Sequence, residues 1–163
     1  MTVVDVLATG LSSMPAMGET GLVSSIELAV GGDALNQCVA LSKLGNNAGL
    51  MALIGNDAQG KFVLEQCQAL KINTDGLCVD PNVPTTTSIV LIDTSGEHVF
   101  LGARGGSAMA MGPEHFNLDR IKSGRKVFAI GSLYWAPRFD RAVAVPFLRK
   151  AKSVGAVTVA DMV

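Results

Sequence analysis

Residues 48–55, "AGLMALIG", form an unbroken apolar run, and this run constrains the fold more than any other stretch of the chain. A strand that is apolar on both faces has no side to turn to water. It must be covered above and below, as parallel strands are. The preceding residues supply one covering layer: Ala34, Leu35, Cys38, Val39, Leu41, Ser42 and Leu44 recur at helical spacing. Gly45, Asn46 and Asn47 then give a helix stop. The following "DAQGKFVLEQCQALK" sets Phe62, Val63, Gln66 and Leu70 at helical spacing, with Asp57 as its N-cap. Further on, "KVFAIGSLYW", "FDRAVAVPFLRKAKSVG" and "AVTVAD" read as strand, helix and strand. Pro146 inside that helix predicts a kink or a late start. Alternation of this kind predicts an α/β fold: a mostly parallel central sheet with helices on its faces.

Two regions break the alternation. "VVDVLAT" reads as a strand near the start, and after a loop with Pro15 and Gly18 comes "LVSSIELAV", with a partial two-residue alternation. "TTTSIVLIDTSGEHVFLGA" is two strand-like runs joined at Ser95-Gly96, a hairpin signal. The segments at about 20–30 and 85–103 are therefore expected to form a small β-sheet apart from the main one.

Composition narrows the function classes. The chain has 163 residues, the size of one ordinary domain, with 48% hydrophobic residues and a formal net charge of −1. Lys and Arg are scattered and aromatics make up 5%, which disfavours a nucleic-acid surface. No apolar run reaches the roughly 18 residues of a membrane span, and no basic segment leads into an apolar one as in a secretory signal. The expectation is a soluble, cytoplasmic protein with no membrane partner. Cys38, Cys67 and Cys78 lack metal-type spacing and are expected to be buried thiols. His98 and His115 are read as surface residues, and no metal site is expected. Asp57, Gly55 and Gly60 read as structural, serving a cap and turns.

The glycine pair Gly31-Gly32 asks for more than a helix start. Ser, Thr, Asp or Asn caps better, whereas glycine lets the backbone approach another group closely. Asn36 then falls about one turn into the helix, near its exposed N–H groups. That arrangement suits a polar ligand; a simple tight turn is the plainer alternative. A dinucleotide-binding reading is weak, because the glycines do not follow the first strand with the required fingerprint.

Gly31-Gly32, Asn36, Gly45 and Gly55 fall at intervals that resemble those of the PfkB family of ribokinase-like carbohydrate kinases. "IGNDAQGKFVLEQCQALKINTDGL" resembles the segment that follows in that family, and Asp5 with "MPAMGET" resembles its first strand and the loop into its lid. Cys38 departs from the family's preference for Ser, Thr or Ala but is similarly small. The resemblance implies a ribokinase-like fold with a β-sheet lid, and transfer of the ATP γ-phosphoryl to a sugar hydroxyl with Mg²⁺. It also implies a small-molecule sugar as partner and a homodimer through the lid. The family's second motif, Gly-Ala-Gly-Asp, is not found in these residues. Its aspartate is the family's catalytic base and its glycine amides hold the transferred group. The chain is therefore expected to be the N-terminal portion of a longer kinase, 1–163, without the nucleotide-binding half and inactive alone. The alternative is a non-catalytic sugar-binding or interaction domain.

On this resemblance, Gly31 and Gly32 close the backbone over a sugar and Asn36 bonds its hydroxyls. Asp5 lies in an apolar strand, where an unpaired carboxylate costs several kcal/mol; its partner is either the sugar or a backbone or Asn group. Asp33 either faces the sugar or caps the helix. Arg104 either pairs with an acidic substrate group or is a solvated loop arginine. Ser132 and Tyr134 fall at the C-terminal end of a buried strand, the usual ligand side of open α/β sheets.

Overall fold

The computed structural model of the chain describes residues 1–163 except Lys122, Ser123, Arg125, Lys126, Tyr134, Phe139, Asp140 and Val163, and leaves out the side chains of Leu118 and Arg141. Tyr134, expected near a ligand, and Phe139 and Asp140, expected to open a helix, lie outside the described residues.

The run at 48–55 becomes strand β3 (Gly49–Gly55), and its double-sided burial is visible residue by residue. Leu50, Ala52 and Ile54 point into one core with Leu35, Cys38, Val63, Cys67 and Val4. Leu53, of opposite parity, enters a second core with Ile130, Val143, Phe147 and Ala151. The first core is roofed by helices α1 (Asp33–Lys43) and α2 (Ala58–Ala69). The second is covered by helix α4 (Arg141–Ser153), packed on strands β7 (Val127–Ile130) and β8 (Val157–Ala160). Within it the Phe147 ring meets Phe116 edge-on at 5.3 Å and lies parallel to Phe128 at 6.3 Å.

Strand β3 pairs in parallel with β4 (Asn73–Asp80), and β7 pairs in parallel with β8. A third sheet has the order β2-β1-β5-β6, from β1 (Val3–Leu11), β2 (Ser25–Gly31), β5 (Thr87–Asp93) and β6 (His98–Gly102). In it β1/β5 is parallel, while β1/β2 and β5/β6 are antiparallel. The segments at 20–30 and 85–103 are therefore not a sheet of their own. The first strand stands between them, because its nine residues lend one edge to β2 and the other to β5. Along one face of β1, Val4 and Ala8 are buried and Val6 is half-buried, the last two flanked in register by Leu28 and Ile26 of β2 and by Ile89 and Leu91 of β5.

The hairpin turn between β5 and β6 is built by Asp93, whose Oδ1 accepts from the Ser95 and Glu97 amides and the Ser95 hydroxyl. Strand β4 and the short helix α3 (Ser107–Ala110) escaped the sequence reading, as did two single 3-10 turns at Pro113–His115 and Leu118–Arg120. Helix α4 runs through Pro146 without a late start.

Candidate functional site

The register brings the residues of interest to one end of the four-stranded sheet. Val3 of β1 pairs with Gly31 at the end of β2, Val4 with Thr87 at the start of β5, and Ser88 with Gly102 at the end of β6. The next row across the sheet reads Ala29–Asp5–Ser88–Gly102. Registered partners share a face, so Asp5 and Ser88 stand side by side.

Asp5 is half-buried, and its partner is neither a backbone group nor an asparagine. The Ser88 hydroxyl donates to its Oδ1. Its other oxygen lies over Gly31, where a Cβ would stand 2.1 Å from Oδ2. Gly32 serves a different need. It is the N-cap of α1 with φ of +83°, gives no side-chain cap, and a Cβ there would meet the Met1 carbonyl oxygen at 2.7 Å.

Asp33 is the first helical residue rather than the cap, so the capping alternative falls. Its Oδ2 accepts from the Ser132 hydroxyl. Ser132 is buried and holds φ of +59°, a conformation that non-glycine residues rarely adopt. Gly131 beside it lies so close that a Cβ would meet Asp33 Cβ at 2.8 Å. The start of α1 is thereby fastened to the C-terminal end of β7. Asn36 is exposed one turn into α1; its N–H donates to Gly32 at 2.9 Å, and its side chain makes no hydrogen bond among the described residues.

Arg104 is exposed just beyond β6, without an ion pair among the described residues. Its loop is pinned at the base. The Ser107 N–H donates to the Pro84 carbonyl at 2.8 Å, the Thr86 N–H to Ser107 Oγ at 3.1 Å, and the Ala108 N–H to Thr86 Oγ1 at 2.8 Å. Asp5, Gly31, Gly32 and Asp33 thus form one contiguous group, Asn36 lies one turn away, and Arg104 rises from the same end of the sheet. The sequence reading missed Ser88, Thr86 and Ser107. Nothing local marks Ser88, since only the parallel pairing of β1 with β5 sets it against Asp5.

A second polar cluster beside the end of β3 is structural, as expected. Asp57 caps α2 through the Gly60 N–H at 2.8 Å and also binds Thr85, through its amide at 2.7 Å and its hydroxyl at 2.6 Å. Thr85 Oγ1 in turn accepts from the Gly55 N–H at 2.9 Å. Partial burial opposes the charge on Asp57, but the Thr85 and Gly60 donors outweigh it and hold the carboxyl below its ordinary range.

Cys38 and Cys67 are core thiols, and Cys78 is half-buried. Burial pushes the Cys38 thiol up and the Cys67 thiol up to about 11, which removes them from thiolate chemistry at neutral pH. His98 is exposed, its ring edge-on to Phe100. His115 is not a surface residue: its side chain is 12% exposed. Its Nδ1 accepts from the Gly112 N–H at 3.0 Å, in a turn where Glu114 pairs with Arg138 at 2.7 Å. Pro113 and Glu114 look like a surface loop in sequence, but the turn they form folds the imidazole inward. Among the described residues no three His, Cys, Asp or Glu side chains gather as a metal site, and no helix is long and apolar enough to cross a membrane.

Comparison with protein families matches residues 2–158 to the pfkB family carbohydrate kinase description. Fructokinase-2 of Oryza sativa subsp. japonica is 30% identical over 128 residues, which cover 78% of this chain and 38% of that protein. Ribokinase of Dictyostelium discoideum is 32% identical over 88 residues, covering 54% and 28% respectively. Among solved structures, a fructokinase from Xylella fastidiosa superimposes with a TM-score of 0.76 at 24% identity, over 99% of this chain and 50% of that one. A ribokinase from Thermotoga maritima gives 0.74 at 20% identity, over 98% and 50%. These two likenesses establish the ribokinase-like fold. The chain spans about two fifths of the rice fructokinase and half of each of these solved chains.

Proposed function

The chain belongs to the pfkB family of carbohydrate kinases, and from that premise we propose that it forms the acceptor-sugar side of a kinase that transfers the γ-phosphoryl of ATP to a sugar hydroxyl. The observation that carries this reading is the half-buried Asp5 carboxylate lying against Gly31 at the start of α1. A carboxylate is an acceptor only, and sugar hydroxyls are donors, so Asp5 orients the acceptor. Gly31 lets the backbone close beneath it, and Gly32 turns the chain from there into α1. Asn36, which can donate and accept, adds a hydroxyl contact from the first turn of α1. Asp33, fastened through one oxygen to Ser132, offers its other oxygen to the sugar, and Arg104 closes over the substrate from the end of β6.

ATP and Mg²⁺ belong, on this reading, to the part of the kinase fold beyond the half that this chain matches. Phosphoryl transfer is largely a matter of positioning and electrostatics, and this chain contributes the positioning of the acceptor. The lid strands are assigned to a homodimer contact.

Titration calorimetry of the purified chain with D-fructose and D-ribose tests the reading, with ATP consumption followed in parallel. Saturable binding of at least one sugar, lost in Asp5→Ala, and no turnover are expected. Failure of both sugars to bind would overturn the acceptor role. Turnover at an ordinary kinase rate of about 1–100 s⁻¹ would overturn the division between halves.

A further inference from the structure

We infer that Ser88 is a positioning residue of the acceptor site: its hydroxyl, donating to Asp5 Oδ1, fixes the carboxylate so that Oδ2 stays over Gly31 to receive a sugar hydroxyl. This rests on the acceptor-sugar reading above. Three constraints converge on one side chain. The parallel register sets the Cα atoms of Asp5 and Ser88 opposite each other, so their side chains emerge together on one face. A serine hydroxyl has a single hydrogen to donate, and here it goes to Oδ1. Oδ2 comes so near the Gly31 backbone that only glycine leaves it room, and it has no hydrogen-bond partner among the described residues.

The bond is not needed to hold strands together. Strands β1 and β5 are already joined by a backbone ladder from Val4/Thr87 to Leu11/Asp93. Nor is it needed to keep a buried charge satisfied, because both side chains are half-exposed and water can reach them. What it does is remove rotamer freedom from Asp5 before the ligand arrives. That ordering would otherwise be subtracted from the binding free energy. Ser88 therefore acts on affinity through Asp5, with little effect on stability.

The test compares the purified chain with Ser88→Ala and Ser88→Thr, the latter keeping a hydroxyl on a residue well suited to a strand. Affinity for D-fructose and D-ribose is read by calorimetry, stability by thermal melting, and the Asp5 carboxylate by ¹³C NMR of aspartate-labelled protein, its signal assigned as the one missing in Asp5→Ala. Ser88→Ala should weaken binding of whichever sugar binds by roughly tenfold, as expected for one hydrogen bond to a charged group. Ser88→Thr should restore affinity, both variants should melt close to the parent, and the Asp5 signal should move in Ser88→Ala and return in Ser88→Thr. An unmoved Asp5 signal overturns the inference whatever the sugar results, as does undiminished affinity in Ser88→Ala. If the parent chain binds neither sugar while the Asp5 signal moves and returns, the clamp stands and only the acceptor-sugar reading falls.

Discussion

Gly31 and Gly32 are adjacent for unrelated reasons, and substituting each should therefore fail differently. At Gly31 the difficulty is space, because a Cβ would stand 2.1 Å from Asp5 Oδ2. Gly31→Ala is expected to push the carboxylate aside, and sugar affinity should fall by about tenfold or more while the melting temperature changes less. At Gly32 the backbone combines φ of +83° with ψ of 141°, a combination that suits glycine alone, and the nearest neighbour is the Met1 carbonyl rather than a flexible side chain. Alanine there adds roughly 1–3 kcal/mol of conformational strain to a collision with backbone, so Gly32→Ala should chiefly lower stability. Calorimetry and thermal melting on both variants check this. Identical profiles would mean that the two glycines do one job. The sequence showed that the pair was unusual but could not divide the two roles, since one depends on a strand partner and the other on a dihedral angle.

Asp57 gives a pH signature at the same scale. Its folded carboxyl is held below the unfolded value, so the stabilisation it contributes is fully present above about pH 3.9. It is lost as pH falls through the depressed folded value. Asp57→Asn should lower stability at pH 7 by about 1–3 kcal/mol, as expected for hydrogen bonds lost around a charged group. It should also flatten the dependence of denaturant midpoint on pH below 5. A variant as acid-sensitive as the parent would place the titrating group elsewhere. Asp57 as a cap was legible from its place before a helical pattern. Its grip on Thr85, 28 residues away, was not.

At the scale of elements, the strongly periodic or unbroken apolar runs were legible. Helices α1 and α2, strand β3 and the β5–β6 hairpin all stand within a few residues of where the sequence puts them. Strand β4 was not, because "NTDGLCVD" carries two aspartates and a glycine, residues depleted in strands. Tertiary contact overrides that propensity. Gly76 passes so close to β3 that a Cβ would lie 2.8 Å from the Leu50 carbonyl oxygen, which a larger residue could not do. In α4 the sequence correctly flagged Pro146, yet the helix continues through it because Val143, Ala144, Phe147 and Ala151 are buried along one face. The proline itself is exposed, so Pro146→Ala removes no core contact. Given the roughly 3 kcal/mol helix penalty of proline, a gain of about 1–3 kcal/mol is expected, seen as a melting temperature higher by several degrees. An unchanged or lower melting temperature would mean that proline carries no net penalty at this position.

For the whole molecule, the register separates two faces of the lid that sequence alone merged into alternating strands. On one face lies the row with Asp5 and Ser88. On the other, Ile26, Ala8, Leu91 and Val99 form one row, and Leu28, Val6, Ile89 and Leu101 the next. All eight are apolar; Ala8 is buried between its neighbours, while Ile26 is 69% and Leu101 53% exposed. Contiguous apolar surface of this kind marks a contact site, and a second copy of the chain can present the same patch in a two-fold arrangement. A second apolar face, with Val127, Val157 and Val159 exposed on β7 and β8, competes as the contact. Sedimentation at micromolar concentration should show a dimer that Leu28→Lys or Leu101→Lys converts to monomer and that Val157→Lys leaves intact. Because the apolar rows face away from Asp5, sugar affinity in Leu28→Lys should stay within about threefold of the parent. A parent that is monomeric, or a dimer broken by Val157→Lys and not by Leu28→Lys, would remove the lid from the interface. A dimer whose loss also abolishes sugar binding would show that the two lid faces are energetically coupled rather than independent.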